Sequence, residues 1–304
     1  MNSANAAGAA PAAEDLYCSR EGAEWEAAQR PDPVVWGADE GPLDREELDH
    51  FSRQGFRFEE QLFDEAEADR LQRAAQELAE TVDPRQQGVI AEPASDVVRS
   101  VFRIHRTHEV FRAVCKDPRI VDVVRQLLGS DVYVHQSRIN YKPAFNGKEF
   151  FWHSDFETWH IEDGMPRPRA VSVSLNLTDN NEFNGPLMVV PGSHRTSVRC
   201  VGETPEDHYK QSLRRQEYGV PAAEALRELV DRGGITAPKG GPGSALFFEC
   251  NLMHGSVGNL SPYPRTNLFV VYNSVENAVV APFGGLRPRP EFLSEREVIP
   301  IGDL

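Results

Sequence analysis

Two residues that commonly bind metals, His153 and Asp155, stand two positions apart in the aromatic run 150–156. In an extended strand, residues i and i+2 point to the same side, so this imidazole and this carboxylate can reach one ion. The third ligand should be a histidine from another strand, and His254 is the best placed because it follows the apolar run 244–248. Two histidines and one carboxylate on one side of an iron leave positions open for a co-substrate and O₂, which is typical of non-haem Fe(II) oxygenases.

A basic residue, Arg265, follows His254 and precedes the β-rich run 267–272. Its guanidinium can bind a carboxylate through two parallel charge-assisted hydrogen bonds. In the iron and 2-oxoglutarate dioxygenases, a basic residue at about this distance past the last histidine binds the far carboxylate of 2-oxoglutarate. A His-x-Asp pair alone arises often by chance, so it is the combination with Arg265 that favours this superfamily.

A longer segment carries a family resemblance. Residues 150–180 read FFWHSDFETWHIEDGMPRPRAVSVSLNLTDN and resemble the signature segment of the ectoine hydroxylases, a family in the phytanoyl-CoA hydroxylase-like branch of these dioxygenases. Residues 15–17 and 30–36 resemble that family's N-terminal part, and residues 184–194 include a phrase shared by the wider branch. Small departures, such as Pro168 and Val171, do not fall on candidate ligands.

The resemblance implies an activity and a role for particular residues. The implied reaction is hydroxylation of ectoine to 5-hydroxyectoine with Fe(II), 2-oxoglutarate and O₂, releasing succinate and CO₂, in compatible-solute metabolism under osmotic or thermal stress. The implied catalytic iron ligands are His153, Asp155 and His254. The implied 2-oxoglutarate contacts are Asn140, Lys142, Phe150, Ser256 and Arg265, and the implied ectoine contacts are Gln136, Trp159 and the neighbouring Thr158.

Polar side chains of one parity occupy the predicted strand that begins at Val132. Gln136, Arg138, Asn140 and Lys142 therefore share one face of it. The pattern alone favours a solvated outer face, whereas the resemblance implies a ligand-binding inner face. His160 and His194 are interpreted as structural residues, because neither has the spacing of a further metal ligand.

Other functions stay open at this point. A related dioxygenase could hydroxylate another small polar molecule, such as an imino acid. A halogenating relative is disfavoured, because those enzymes replace the carboxylate ligand with a small residue and Asp155 is present. A jelly-roll protein that binds a solute without turnover belongs to a different class, and Arg265 beside a complete ligand set argues against it.

The scaffold predicted for these residues is mainly β with flanking helices, around a double-stranded β-helix core of the jelly-roll or cupin-like type. Asp44 and Asp64 are predicted to cap helices 45–53 and 65–81, a mobile loop is predicted over 81–93, and a later helix over 222–232. From residue 131 onward, short β-rich runs alternate with Gly, Pro and Asn. The predicted strands are 132–141, 149–156, 170–177, 187–190, 246–248 and 267–272. We expect a disordered leader at 1–14 and one domain over 15–304, with helices at about 40–130 and the jelly roll at about 131–280.

The composition limits the partners. The 304 residues include 32 basic and 47 acidic side chains, giving a formal charge of −15, so nucleic acids and anionic membranes are unfavourable partners. Four scattered cysteines form no paired motif and are interpreted as reduced thiols of a cytoplasmic protein. No targeting segment or membrane span is recognised. The expected partner is a small-molecule substrate, ectoine, and a homodimer is kept as an open expectation.

Overall fold

The computed structural model describes residues 14–38, 40–92, 96–207, 209 and 218–304. The strands, in chain order, are β1 (Glu26–Gln29), β2 (Phe56–Glu59), β3 (Val89–Ala91), β4 (Val98–Phe102), β5 (Val132–Lys142), β6 (Phe150–His153), β7 (Ala170–Asn176), β8 (Leu187–Val189), β9 (Thr196–Arg199), β10 (Ala245–Glu249), β11 (His254–Ser256) and β12 (Arg265–Ser274). A seven-stranded sheet has the order β2-β10-β7-β12-β5-β4-β3, and a three-stranded sheet has the order β6-β11-β8. All the pairings in these sheets are antiparallel. The predicted jelly-roll class is confirmed.

The helices, in chain order, are α1 (Arg45–Gln54), α2 (Glu65–Thr81), α3 (Ile104–Thr107), α4 (Glu109–Cys115), α5 (Pro118–Leu128), α6 (Asp155–Thr158) and α7 (Ala223–Gly233). Both predicted caps are present, because Asp44 and Asp64 each accept a backbone hydrogen bond within a complete capping box. Helix α1 ends at Gly55, whose φ of +81° favours glycine. Among the described residues, none of the helices has the length and apolarity needed to cross a membrane.

Successive side chains on each strand of the large sheet point to opposite faces, and apolar side chains form a layer on each face. Phe247 of β10 and Val270 of β12 belong to the main core, which they share with α1, α2, α4 and α5. Phe248 and Phe269, one position away, pack instead with residues of β8. The three-stranded sheet therefore covers the face of the large sheet that the helices leave free, and the space between the sheets is available for a site.

A β-bulge in β5 decides which of its residues face this space. Val271 of β12 pairs with Gln136, while the next residue, Tyr272, pairs with Val134, so His135 is the extra residue. Before the bulge, Val134 packs in the main core; after it, the odd-numbered Ile139 does so. The even-numbered residues from Gln136 onward consequently point between the sheets. The pattern-based interpretation of a solvated outer face was wrong, and Gln136 and Lys142 are buried.

Two predicted elements differ from the structure. The predicted strand over 149–156 ends at His153, because Ser154 caps α6 by accepting a hydrogen bond from the Glu157 amide. The segment from Asp155 is helical and continues as a π-helical turn, Trp159–Asp163. The predicted loop 81–93 contains the short strand β3. The predicted leader lies, apart from Glu14, outside the described residues, and the division into one domain stays a prediction.

Candidate active site

The three predicted metal ligands converge between the two sheets. His153, the last residue of β6, pairs directly with His254, the first residue of β11. Asp155 is the first residue of α6, and its Oδ1 lies 3.6 Å from His153 Nε2 and 3.8 Å from His254 Nε2. One ligand atom from each residue lies within 4.8 Å of the others. The strand-parity argument for His153 and Asp155 was wrong, because a helix N-terminus supplies the carboxylate, yet the residues meet as expected.

The hydrogen bonds of the two imidazoles suit a metal. His153 Nδ1 lies 2.7 Å from the Phe151 carbonyl oxygen, and His254 Nδ1 lies 2.9 Å from the Leu252 carbonyl oxygen. A carbonyl only accepts, so each Nδ1 carries a proton, and Nε2 is the ring atom available to a metal. Burial and the neighbouring His153 lower the pKa of His254 to about 4. Two imidazoles and one carboxylate are a donor set that fits Fe(II).

The carboxylate is held in its ionised form. Burial alone would raise the pKa of Asp155, but His254, His153 and the Arg138 guanidinium together hold it below its usual range. Ser172 Oγ lies 3.4 Å from the second carboxylate oxygen. Asp155 is therefore charged at neutral pH, as a metal ligand should be.

Cationic side chains occupy one end of the cavity beside the triad. Arg265 and Lys142 are buried and face each other across paired strands, and both line this cavity with Asn140, Phe150 and Ser256. The Nε and Nη1 atoms of Arg265 have no hydrogen-bond partner among the described residues. Burial lowers the pKa of Arg265 to about 10, so it remains charged at neutral pH.

Lys142 is held beside Arg265 by hydrogen bonds. Its Nζ donates to Ser256 Oγ at 2.9 Å and to the Val257 carbonyl oxygen at 2.6 Å. Burial, with the charges of Arg265 and Arg99, lowers the pKa of Lys142 to about 6. Burial and mutual repulsion disfavour the positive charges of Lys142 and Arg265, and a bound anion would stabilise them. This end of the cavity therefore fits a dicarboxylate such as 2-oxoglutarate.

A second lobe opens on the other side of His153 and Asp155. It is lined by the three predicted ectoine contacts, Gln136, Thr158 and Trp159, together with Arg289 and Leu293. Gln136 Nε2 donates to the Leu293 carbonyl oxygen at 2.6 Å. Trp159 is buried, and its ring meets the His135 ring edge-on with centroids 5.2 Å apart. The structure thus brings all the predicted site residues around one cavity with two lobes.

Several lining residues were missing from the predicted site, among them two arginines and a serine. Arg138 lines both lobes and donates a hydrogen bond to Gln136. Its position two residues after Gln136 on the same strand could have indicated that both side chains face the site. Ser100 of β4 also lines both lobes and donates to Asn140 Oδ1 at 2.7 Å. Arg289 enters from the C-terminal segment, whose sequence has no strand or helix pattern that would place it. His160 and His194 bind backbone carbonyls, as expected of structural residues.

Comparison with known proteins gives the family. The jelly roll and its triad define the class, a non-haem metal oxygenase. A family model described as phytanoyl-CoA dioxygenase (PhyH) matches residues 51–267. The chain belongs to this family.

Within the family, the chain resembles the ectoine dioxygenases over nearly its whole length. It is 52% identical to the ectoine dioxygenase of Sphingopyxis alaskensis over 287 residues, which cover 93% of this chain and 94% of that protein. Its identity to the ectoine dioxygenase of Halomonas elongata is 52% over 267 residues, covering 87% and 80%. The resemblance predicted from the sequence is confirmed.

Solved structures also show the likeness to the ectoine dioxygenases. The crystal structure of EctD from S. alaskensis with 2-oxoglutarate and 5-hydroxyectoine matches with a TM-score of 0.84 and 47% identity, covering 93% of this chain and 95% of that one. The same protein with bound Fe matches with a TM-score of 0.83 and 45% identity, over the same shares of the two chains. The fold, the family and the likeness over nearly the whole chain now support a specific reaction.

Proposed function

We propose that this protein hydroxylates ectoine to 5-hydroxyectoine, using Fe(II), 2-oxoglutarate and O₂ and releasing succinate and CO₂. The observation that carries the proposal is the cavity with two lobes that meet at the His153, Asp155 and His254 triad. One lobe is suited to a dicarboxylate and the other to a small polar molecule. Relatives about half identical to this chain are ectoine dioxygenases, and this supports the choice of substrate.

His153, Asp155 and His254 would hold the iron. Bound there, iron with 2-oxoglutarate supplies the oxidising chemistry that inserts oxygen at an unactivated C–H bond. The protein's own contribution is to orient its ligands. The Phe151 and Leu252 carbonyl oxygens fix both imidazoles, and the cap at Ser154 fixes the start of α6.

Arg265 would bind the far carboxylate of 2-oxoglutarate. Its buried guanidinium has nitrogen atoms without a partner among the described residues, and its positive charge suits a carboxylate. Lys142 and Ser256, joined by a hydrogen bond, would add polar contacts, with Asn140 and Phe150 completing the lobe. Because Arg265 is only 5% exposed, water does not compete strongly for this contact.

Ectoine would bind in the lobe formed by Gln136, Thr158, Trp159 and Arg289. Ectoine is a zwitterion with a delocalised cationic ring, which the π face of the Trp159 indole can contact. Its carboxylate fits the Arg289 guanidinium that lines the same lobe, and Gln136 offers a hydrogen-bonding amide. The lobe lies directly beside His153 and Asp155, so a bound ring would be held next to the metal position.

A coupled assay tests this function. Purified protein with Fe(II), ascorbate, 2-oxoglutarate and O₂ should release succinate when ectoine is added, in proportion to the 5-hydroxyectoine formed. Proline is tested separately as an alternative substrate, because it represents the imino-acid alternative. Succinate release with proline but not with ectoine would show that the substrate is an imino acid. Ectoine binding without succinate release would favour a non-catalytic solute-binding protein.

We also propose a cytoplasmic location and a homodimer. The four cysteines are all free, which fits a reducing compartment. Exposed apolar side chains of Phe145, Leu260 and Tyr263 come from adjoining loops, where the Phe145 amide bonds the Ser261 carbonyl, and they would suit contact with a second copy. Light scattering on the purified protein tests the dimer, and a monomer would remove that part of the proposal.

A further inference from the structure

A buried glutamate, Glu295, lies in the C-terminal segment that closes one side of the substrate lobe. Residues 278–300, all of which the structure describes, form no helix or strand, yet Arg289 and Leu293 from this segment line the lobe. Glu295 is only 2% exposed. A buried carboxylate is costly unless it is paired and hydrogen-bonded, so its partners show what holds this segment in place.

The Glu295 carboxylate binds the junction between β4 and α3. Arg103 donates to both of its oxygens, through Nε at 3.2 Å and through Nη2 at 3.0 Å, which is the geometry of a bidentate ion pair. Arg106 Nε donates to Oε2 at 3.4 Å, and His105 Nε2 lies 3.4 Å from the same oxygen. Burial alone would raise the pKa of Glu295, but these three side chains lower it to about 2. Glu295 is therefore charged at neutral pH.

The main chain at Glu295 and at Arg103 binds β5 on either side of Gln136. The Glu295 amide donates to the His135 carbonyl oxygen at 2.8 Å, and the Arg103 amide donates to the Ser137 carbonyl oxygen at 2.7 Å. Arg103 has a φ of +61°, in the left-handed region that a residue with a side chain adopts where its surroundings impose it. The ion pair thus joins the two segments that bind β5 immediately before and after Gln136.

The C-terminal segment also sets the orientation of the Gln136 amide. Gln136 Nε2 donates to the Leu293 carbonyl oxygen at 2.6 Å, and Arg138 donates to Gln136 Oε1. A carbonyl only accepts and a guanidinium only donates, so these two contacts allow a single orientation of the amide. Leu293 stands two residues before Glu295, and the position of its carbonyl depends on where Glu295 holds the segment.

We propose that Glu295 is a positioning residue for ectoine binding and acts through Gln136. By pairing with Arg103, it holds the Leu293 carbonyl against Gln136, so that the amide faces ectoine in one orientation. Without the ion pair, the bond to the His135 carbonyl and the burial of Leu293 remain, so the segment should loosen rather than detach. This inference rests on the proposed function, because it assumes that Gln136 contacts ectoine.

The 2-oxoglutarate lobe provides an internal reference. Arg265 and Lys142 line that lobe, and among the described residues no hydrogen bond or ion pair joins either of them to Glu295. Loss of the Glu295 charge should therefore weaken ectoine binding and leave 2-oxoglutarate binding unchanged. General destabilisation of the fold would weaken both.

Equilibrium dialysis of radiolabelled ectoine, with Fe(II) and 2-oxoglutarate present and O₂ excluded, measures binding without turnover. Glu295→Gln keeps the size of the side chain and should raise the ectoine Kd about three- to tenfold, the effect of one poorly oriented hydrogen bond. Glu291→Gln and Glu297→Gln are the matched controls. They remove the exposed carboxylates that pair with Arg103 at 3.2 Å and with Arg106 at 3.4 Å, and such exposed pairs contribute little, so the Kd should not change.

A double-mutant cycle with Gln136→Leu separates positioning of the amide from general packing. Gln136→Leu should itself weaken ectoine binding about tenfold. In that background, Glu295→Gln should change the ectoine Kd by less than about twofold, because the amide through which Glu295 acts is already absent. Arg103→Lys keeps a positive charge beside Glu295 without the planar fork. It should show the same pattern, and it replaces Glu295→Gln in the cycle if that variant does not fold.

Three results would overturn the proposal. The first is an unchanged ectoine Kd in Glu295→Gln and Arg103→Lys, or in Gln136→Leu. The second is an equal effect of Glu295→Gln in the presence and absence of the Gln136 amide. The third is a parallel rise in the Kd for 2-oxoglutarate. No ectoine binding by the unsubstituted protein would instead overturn the proposed function.

Discussion

Replacing Arg265 by alanine should selectively impair the use of 2-oxoglutarate. Its Nε and Nη1 atoms have no partner among the described residues, and the proposed carboxylate would accept two hydrogen bonds from one edge of the guanidinium. Hydrogen bonds to charged groups contribute about 1.5 to 3 kcal/mol each, so two at the lower limit give about 3 kcal/mol. At about 1.4 kcal/mol per factor of ten, the Kd for 2-oxoglutarate should rise roughly a hundredfold.

The assay compares apparent KM values for the two substrates by succinate release and confirms the Kd for 2-oxoglutarate by calorimetry. Arg265→Lys should recover part of the loss, because it restores the charge without the planar fork. Arg45→Ala is the control, since Arg45 belongs to an exposed i,i+4 pair with Asp49 that contributes little. An increase in the ectoine KM with an unchanged 2-oxoglutarate KM would show that the two lobes have been assigned in reverse.

Three further predictions concern the triad, the substrate lobe and the pH dependence. Asp155→Ala should abolish hydroxylation and Fe(II) binding while circular dichroism remains native, because one of three ligands is lost with its charge; retained activity would remove the metal assignment. Trp159→Leu should lose more ectoine affinity than Trp159→Phe, by about 0.5 to 1 kcal/mol, because leucine cannot make a cation–π contact. The ectoine KM of each variant measures this difference, and equal KM values would show that Trp159 only contributes packing. Burial, Arg265 and Arg99 lower the pKa of Lys142 to about 6 in the ligand-free protein, and a bound dianion should raise it. Binding then takes up a proton, so 2-oxoglutarate affinity should fall as pH rises above about 6; calorimetry in buffers of different ionisation enthalpy measures this uptake, and its absence would contradict the prediction.

Local sequence signals predicted the helices well. Helix α2 has the predicted bounds, Glu65–Thr81, because the Asp64 capping box and its apolar spacing are both local features. Strand ends were less predictable. The segment after His153 contains β-favouring aromatic residues, yet the Ser154 cap and tertiary packing make it helical.

The metal ligands could be predicted, but the reason for their convergence could not. His153 and His254 meet through strand pairing between distant segments, which no local pattern encodes. The inner face of β5 depends on one bulge residue, His135, and a bulge has no reliable sequence signal. Arg289 reaches the site from a segment without regular structure, so its position emerged only from the folded chain.

Mass spectrometry of the product tests the central claim most directly. The protein is incubated with Fe(II), 2-oxoglutarate, ectoine and isotopically labelled O₂, and the ectoine pool is analysed together with succinate. We predict one added oxygen atom in ectoine, carrying the label, one labelled oxygen in succinate, and a product that co-migrates with 5-hydroxyectoine. Unchanged ectoine alongside a functional metal site, or oxygen added only to a different small molecule, would contradict the account.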